Sequence, residues 1–208
     1  EIYYTLDGSV PTIESGTRYT GVILLDEALL KQRPIIRAIA IKEGWRASEV
    51  SRDRYCFDDF VSRDYMTSQY DILPRTVKIM LPKGYHDTTE RYRVLYAHDG
   101  QNLFQRREAS YGKEWRIDEA YHDLFDSGKI EPAIIVGIWS TADRWQEYSP
   151  SYDPNYAGSG QAAEYEQYII NELKPYIDAT FRTKPEPAYT GMLGASMGGL
   201  ITQYITWN

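Results

Sequence analysis

The sequence predicts an α/β region with a mostly parallel sheet and flanking helices, preceded by a small all-β module. Three observations carry this reading. From Thr76 onward, short apolar runs alternate with stretches of helical spacing. Before about residue 55, apolar runs are strand-like and are separated by turn signals. Between them, Ser51 to Ser68 is polar and charged with little periodicity, and it reads as the seam. The boundaries expected are 1–55 for the β module and 65–208 for the α/β region.

In the β module, Ile2-Tyr3-Tyr4-Thr5-Leu6 is rich in strand formers, and Asp7-Gly8 follows as a tight-turn signal. The first residues already read as the middle of a strand, so the natural start of the protein is expected upstream. Val22-Ile23-Leu24-Leu25 and Ile35 to Lys42 are further strand candidates, the latter closed by Glu43-Gly44. In the α/β region, Thr76-Val77-Lys78-Ile79-Met80-Leu81 alternates like a strand and ends at Pro82-Lys83-Gly84. Arg93 to Ala97 is an apolar run that ends at His98-Asp99-Gly100-Gln101. Ala133 to Ile138 is continuous enough for a strand buried on both faces. Helical spacing appears over Trp115–Phe125 and again over Tyr165–Tyr176. Ala188 to Leu193 is the last strand, and Leu200 to Ile205 after it is compatible with a helix.

Composition bounds the function. A hydrophobic share of 42% and a charged share of 25% are ordinary for a globular protein. A net charge of -7 argues against a nucleic-acid partner, whose binding surfaces are basic. No apolar run is long enough to span a bilayer. Cys56 is the single cysteine, so no disulfide forms within the chain. Nineteen tyrosines and five tryptophans offer aromatic faces of the kind that contact sugars, although each also suits ordinary packing.

The chemistry centres on Gly194-Ala195-Ser196-Met197-Gly198, a G-x-S-x-G pattern between an apolar strand and a helix-compatible segment. That context places the serine on a sharp strand-to-helix turn with its hydroxyl lifted from the sheet. His98-Asp99-Gly100-Gln101-Asn102 ends an earlier strand, where α/β-hydrolases build one side of the oxyanion hole. The main-chain N–H groups so assigned are those of Met197 and Gln101, with Gly100 as the neighbouring alternative to Gln101. His98 in such a loop reads as structural. His86 falls in a polar turn and His122 on a helix surface or flank, and neither carries a base or metal-ligand pattern. The chemistry calls for no metal and no cofactor.

Four motifs in order resemble the esterase family that includes feruloyl esterases, enterochelin esterases and S-formylglutathione hydrolase. They are Val94 to Asn102, Arg144 to Pro150, Glu172 to Asp178, and Gly194 to Leu200. The resemblance implies an α/β-hydrolase fold, incomplete here, with Ser196 as nucleophile and Met197 with Gln101 lining the oxyanion hole. It also suggests that Trp139–Pro150 borders the substrate pocket or packs against it. In this family the acid and the histidine follow the serine, yet no His or carboxylate follows Gly199. They are therefore expected beyond Asn208, and the isolated 208-residue chain is expected to turn over esters poorly.

Ile2 to Thr12, Tyr19 and Arg37-Ala38-Ile39-Ala40 resemble the chitobiase C-terminal-like β-sandwich, with its opening strands lacking. Both a spacer role and sugar contact stay open for it. The expected substrate is an ester, and the appended module points to one attached to a polysaccharide, feruloyl or acetyl. The alternatives are an enterochelin-esterase-like siderophore hydrolase and a noncatalytic carbohydrate-binding scaffold. A glycan-directed role points to a secreted or periplasmic setting, which the residues themselves leave unassigned.

Overall fold

The computed structural model describes residues 1–25, 29, 34–54, 60–155 and 160–207. Cys56 lies outside the described residues. The chain divides into two compact units, Glu1–Asp58 and Asp59–Asn208.

The first unit is a four-stranded antiparallel sheet of β1 (Ile2–Thr5), β2 (Thr17–Arg18), β3 (Ile35–Ala40) and β4 (Ser51–Arg54), in the order β2-β1-β3-β4. Among the described residues it supplies one layer of the expected sandwich. Asp7-Gly8 does turn the chain, but as an Asx turn: the Ser9 N–H donates to Asp7 Oδ1 (2.9 Å), and Gly8 takes φ +79°. Val22-Ile23-Leu24-Leu25 is not a strand. Val22 and Leu24 stand exposed, and without a ladder partner β-branched composition alone does not make a strand.

The second unit is built on a five-stranded sheet of order β5-β6-β8-β7-β9. Its strands are β5 (Phe60–Met66), β6 (Arg75–Met80), β7 (Arg93–His98), β8 (Ala133–Ile138) and β9 (Thr190–Leu193). The sheet is mixed. β8-β7-β9 is the parallel part, and β5 and β6 add two antiparallel pairings at one side. The seam read from the sequence is thus corrected: it carries β4 and β5. As an edge strand, β5 accepts Ser62 and Arg63 toward solvent, which hides its periodicity.

The helices are α1 (Ile117–Asp126), α2 (Arg144–Glu147), α3 (Ala162–Tyr168), α4 (Lys174–Thr180) and α5 (Met197–Trp207). The single helix expected over Tyr165–Tyr176 is instead α3 and α4 joined by a π-helical turn, Ile169–Leu173. Pro175 has no N–H to continue the i→i−4 ladder, and the wider turn absorbs the defect. Apolar residues cover both sheet faces. Ile134, Val136 and Ile138 of β8 pack with Val94 and Tyr96 against Tyr165, Tyr168, Leu173 and Ile177. Ile135 and Ala97 face Leu103, Phe104 and Tyr121 on the other side. Each fully buried isoleucine contributes about 1.5–3 kcal/mol. This double-faced burial fixes β7, β8 and β9 in register, with His98 level with Ile138 and Ala97 level with Leu193.

Candidate active site

Because β8, β7 and β9 run parallel and in register, the loops that follow them emerge at one end of the sheet. Ligands of α/β sheets bind at that end. The loop after β9 is the shortest. Three residues separate Leu193 from the first helical residue, Met197. Ser196 closes the turn with φ +55°, a left-handed conformation that costs a non-glycine residue about 1–2 kcal/mol, and it is exposed. Gly194 is compelled by packing, since a Cβ there would lie 2.1 Å from the carbonyl oxygen of Gly198. The Gly198 N–H bonds to Ala195 O (2.9 Å) and the Gly199 N–H to Ser196 O (2.9 Å). Met197 opens the helix, so its N–H has no acceptor within it.

The loop after β7 begins with another left-handed residue, Asp99 (φ +56°), and continues as a 3-10 turn over Gly100–Asn102. A Cβ on Gly100 would sit 2.4 Å from the carbonyl carbon of Gly137 in β8, so only glycine lets this turn rest on its neighbour. The Gln101 side chain is nearly buried and fully engaged. Nε2 donates to Ser140 Oγ (2.7 Å) and Ser110 Oγ (3.2 Å), and Oε1 accepts the Ser140 N–H (3.1 Å). The Asp99 carboxylate accepts Arg144 Nε (2.6 Å) and Nη2 (2.8 Å) as a fork. Its Oδ2 also abuts the elbow, 3.0 Å from where a Cβ on Gly198 would lie.

The loop after β8 supplies Ser140, Thr141 and α2. One turn of α2 reaches in two directions. Arg144 meets Asp99, while Glu147 accepts Arg75 Nη1 (3.1 Å) and Nη2 (2.6 Å) with both side chains wholly buried. Thr141 Oγ1 donates to Glu147 Oε2 (3.1 Å). The Arg75 guanidinium lies 4.9 Å from the Tyr165 ring centre and 5.2 Å from that of Tyr168. Burial alone would lower its pKa, but Tyr165 and Glu147 outweigh burial and hold it above the ordinary value. The hydrogen-bonded Asp99 carboxylate likewise holds Arg144 above its ordinary value.

His98 is buried beneath this cluster. Its Nδ1 is 2.9 Å from Tyr165 Oη, and its ring lies edge-on to Tyr148. Burial, partly offset by Asp99, lowers its pKa to about 4. Burial also raises the phenols of Tyr148 and Tyr165. At neutral pH the group is therefore an uncharged imidazole walled in by protonated tyrosines. His86 lies in the short 3-10 turn Tyr85–Asp87, edge-on to Tyr85. His122 corrects the sequence reading, since it is buried on the inner face of α1, with Nδ1 3.0 Å from Asp118 O. Among the described residues, no cluster of three or more His, Cys, Asp or Glu is placed to hold a metal. Among them, too, no helix is long and apolar enough to cross a membrane.

Ser196 and Met197 thus share one turn, and the Asp99–Gln101 turn joins it through the contact of Asp99 with Gly198. The region Trp139–Pro150 holds both ion pairs through α2. The role of Asp99, Arg144, Arg75 and Glu147 as partners was missed in the sequence. Arg144 and Glu147 were visible three positions apart in one motif, but their partners lie 45 and 72 residues away.

The family model described as "Putative esterase" matches residues 73–205, and that of the Chitobiase/beta-hexosaminidase C-terminal domain matches residues 1–52. An Endo-1,4-beta-xylanase/feruloyl esterase of Xylanibacter ruminicola is 33% identical over 136 residues, which are 64% of this chain and 17% of that protein. An IroE-like serine hydrolase from Shewanella oneidensis is 28% identical with a TM-score of 0.53, over 68% of this chain and 44% of that one. The BES protein from Bacillus cereus, at 21% identity and a TM-score of 0.57, shares the fold over 77% of this chain and 60% of its own. The chain therefore spans only part of the length of these relatives.

Proposed function

Because this chain belongs to the esterase family of α/β-hydrolases, we propose that it carries the nucleophile of a serine carboxylic ester hydrolase. Ser196 is the nucleophile, and the main-chain N–H groups of Met197 and Gln101 receive the oxyanion. The observation that carries this reading is Ser196 itself: exposed, left-handed, and set directly before Met197, the first helical residue, whose N–H has no acceptor within the helix. Ser196 Oγ attacks the ester carbonyl, negative charge gathers on the carbonyl oxygen, and fixed donors stabilise it without reorganising. Collapse expels the alcohol and leaves an acyl-enzyme, which water hydrolyses to the free acid. The proton of Ser196 passes to a base. His98, neutral and enclosed, does not take that role here, nor do His86 and His122.

The substrate proposed is an ester carried on a carbohydrate, feruloyl or acetyl. Support comes from the family match of residues 1–52 and from the xylanase/feruloyl esterase relative, both associations of partner rather than of site chemistry. The test is turnover of p-nitrophenyl acetate, methyl ferulate and acetylated xylan by the full-length protein and its Ser196→Ala variant. Loss of turnover in the variant by about a millionfold, toward background, is expected. Turnover that survives the substitution overturns the reading.

A further inference from the structure

We propose that Arg144 is a positioning residue whose guanidinium cancels the charge of Asp99 beside the oxyanion site; this rests on the reading of Ser196 given above. Asp99 has an unusual place. It immediately precedes the Gly100–Asn102 turn, holds a left-handed backbone, and presses Oδ2 against Gly198 in the first turn of α5. A carboxylate there stabilises the helix N-terminus in the resting protein. It also opposes the reaction, because a second negative charge must develop on the oxyanion near the same N–H groups. Like charges brought close together at a partly buried site repel one another.

Arg144 removes that conflict. Its fork binds both carboxylate oxygens at 2.6 and 2.8 Å, so the pair presents no net charge and Asp99 is held in one orientation. The guanidinium rests on the Tyr148 ring, 5.1 Å from its centre, and the Tyr148 hydroxyl accepts the Asp99 N–H at 3.4 Å. Ser140, from the same loop, clamps the Gln101 amide on the far side of the turn. The loop after β8 therefore sets both the direction of the oxyanion turn and the field across it.

The two roles separate experimentally. A packing role makes the loss of Arg144 and of Asp99 add up. Charge compensation makes the loss of Arg144 alone worse than the loss of both. The full-length protein and its Arg144→Gln, Arg144→Lys, Asp99→Asn/Arg144→Gln and Ser196→Ala variants are compared. The readouts are kcat and KM for p-nitrophenyl acetate, and calorimetric affinity for phenylboronic acid, which adds the serine oxygen to give an anionic tetrahedral boronate.

Arg144→Gln is expected to lower kcat and boronate affinity by about tenfold or more, with KM within about twofold. The double variant is expected to regain most of that loss, and Arg144→Lys, which keeps the charge but not the fork, to fall between Arg144→Gln and the parent. Equal losses in Arg144→Gln and the double variant overturn the proposal, as does unchanged boronate affinity in Arg144→Gln. Should Arg144→Gln fail to fold, the folded double variant decides: charge compensation predicts that losing both charges together is tolerated, and a kcat and boronate affinity more than about tenfold below the parent overturn it. A parent that neither binds the boronate nor cleaves the ester, or a Ser196→Ala protein that does both, overturns the underlying serine reading instead.

Discussion

The two ends of α2 make a natural experiment in ion pairing. Glu147 at one end meets Arg75 with both side chains at 0% exposure, backed by Thr141 and by the rings of Tyr165 and Tyr168. Arg144 at the other end meets Asp99 at the mouth of the strand-end site, with 26% of its side chain exposed. Both are two-point forks, end-on through Nη1 and Nη2 at Arg75 and side-on through Nε and Nη2 at Arg144, and their surroundings differ more still. The sealed pair ties the β8 loop to the core, and the open pair ties the same loop to the two turns that flank Ser196. Stability is expected to reside at the first end and function at the second.

Breaking the sealed end is the most costly change. Glu147→Gln leaves the Arg75 charge in the core with half its partner, and a loss of about 3–5 kcal/mol of unfolding free energy is expected, read as a lower urea midpoint. An unchanged midpoint would erase the contrast between the two ends.

The histidine beneath them gives the next largest effect, read through pH. His98 is neutral when folded, with a pKa lowered to about 4 against an ordinary 6.5. Between those values the unfolded chain binds the extra proton, so stability falls as pH drops from about 6.5 to about 4, by about 3 kcal/mol in all. Urea midpoints measured across this range should slope in the parent and flatten in His98→Gln. Equal slopes would show that other groups carry the acid sensitivity.

Gly100→Ala sharpens the comparison at the backbone, since the added carbon collides with Gly137 rather than with a side chain that can move. A loss of about 1–3 kcal/mol is expected in thermal unfolding. Smallest is Arg144→Lys, which keeps the charge and is expected to change stability by less than about 1 kcal/mol. A larger drop would make the open end as structural as the sealed one.

The parts of this picture that were legible in the sequence are local ones. β6, β7, β8 and β9 followed from apolar runs, and the elbow from Gly194, Ser196 and Gly198, because backbone strain at a turn is written in neighbouring residues. β5 was hidden because the successive exposed residues Ser62 and Arg63 break the apolar-polar alternation. The π-turn at Ile169–Leu173 was hidden because Pro175 is compatible with either a new helix or a distorted old one. The ion pairs were hidden for a different reason. Nothing near Arg75 announces Glu147, and nothing near Asp99 announces Arg144, since both contacts are made only when β8 is laid between β6 and β7.

The most direct measurement is the site of covalent labelling by a reporter-tagged fluorophosphonate in the full-length protein, mapped by mass spectrometry. Phosphonylation at Ser196, absent in Ser196→Ala, is the expected result. A label on any other residue, or none on a protein that still cleaves esters, would contradict the assignment of Ser196.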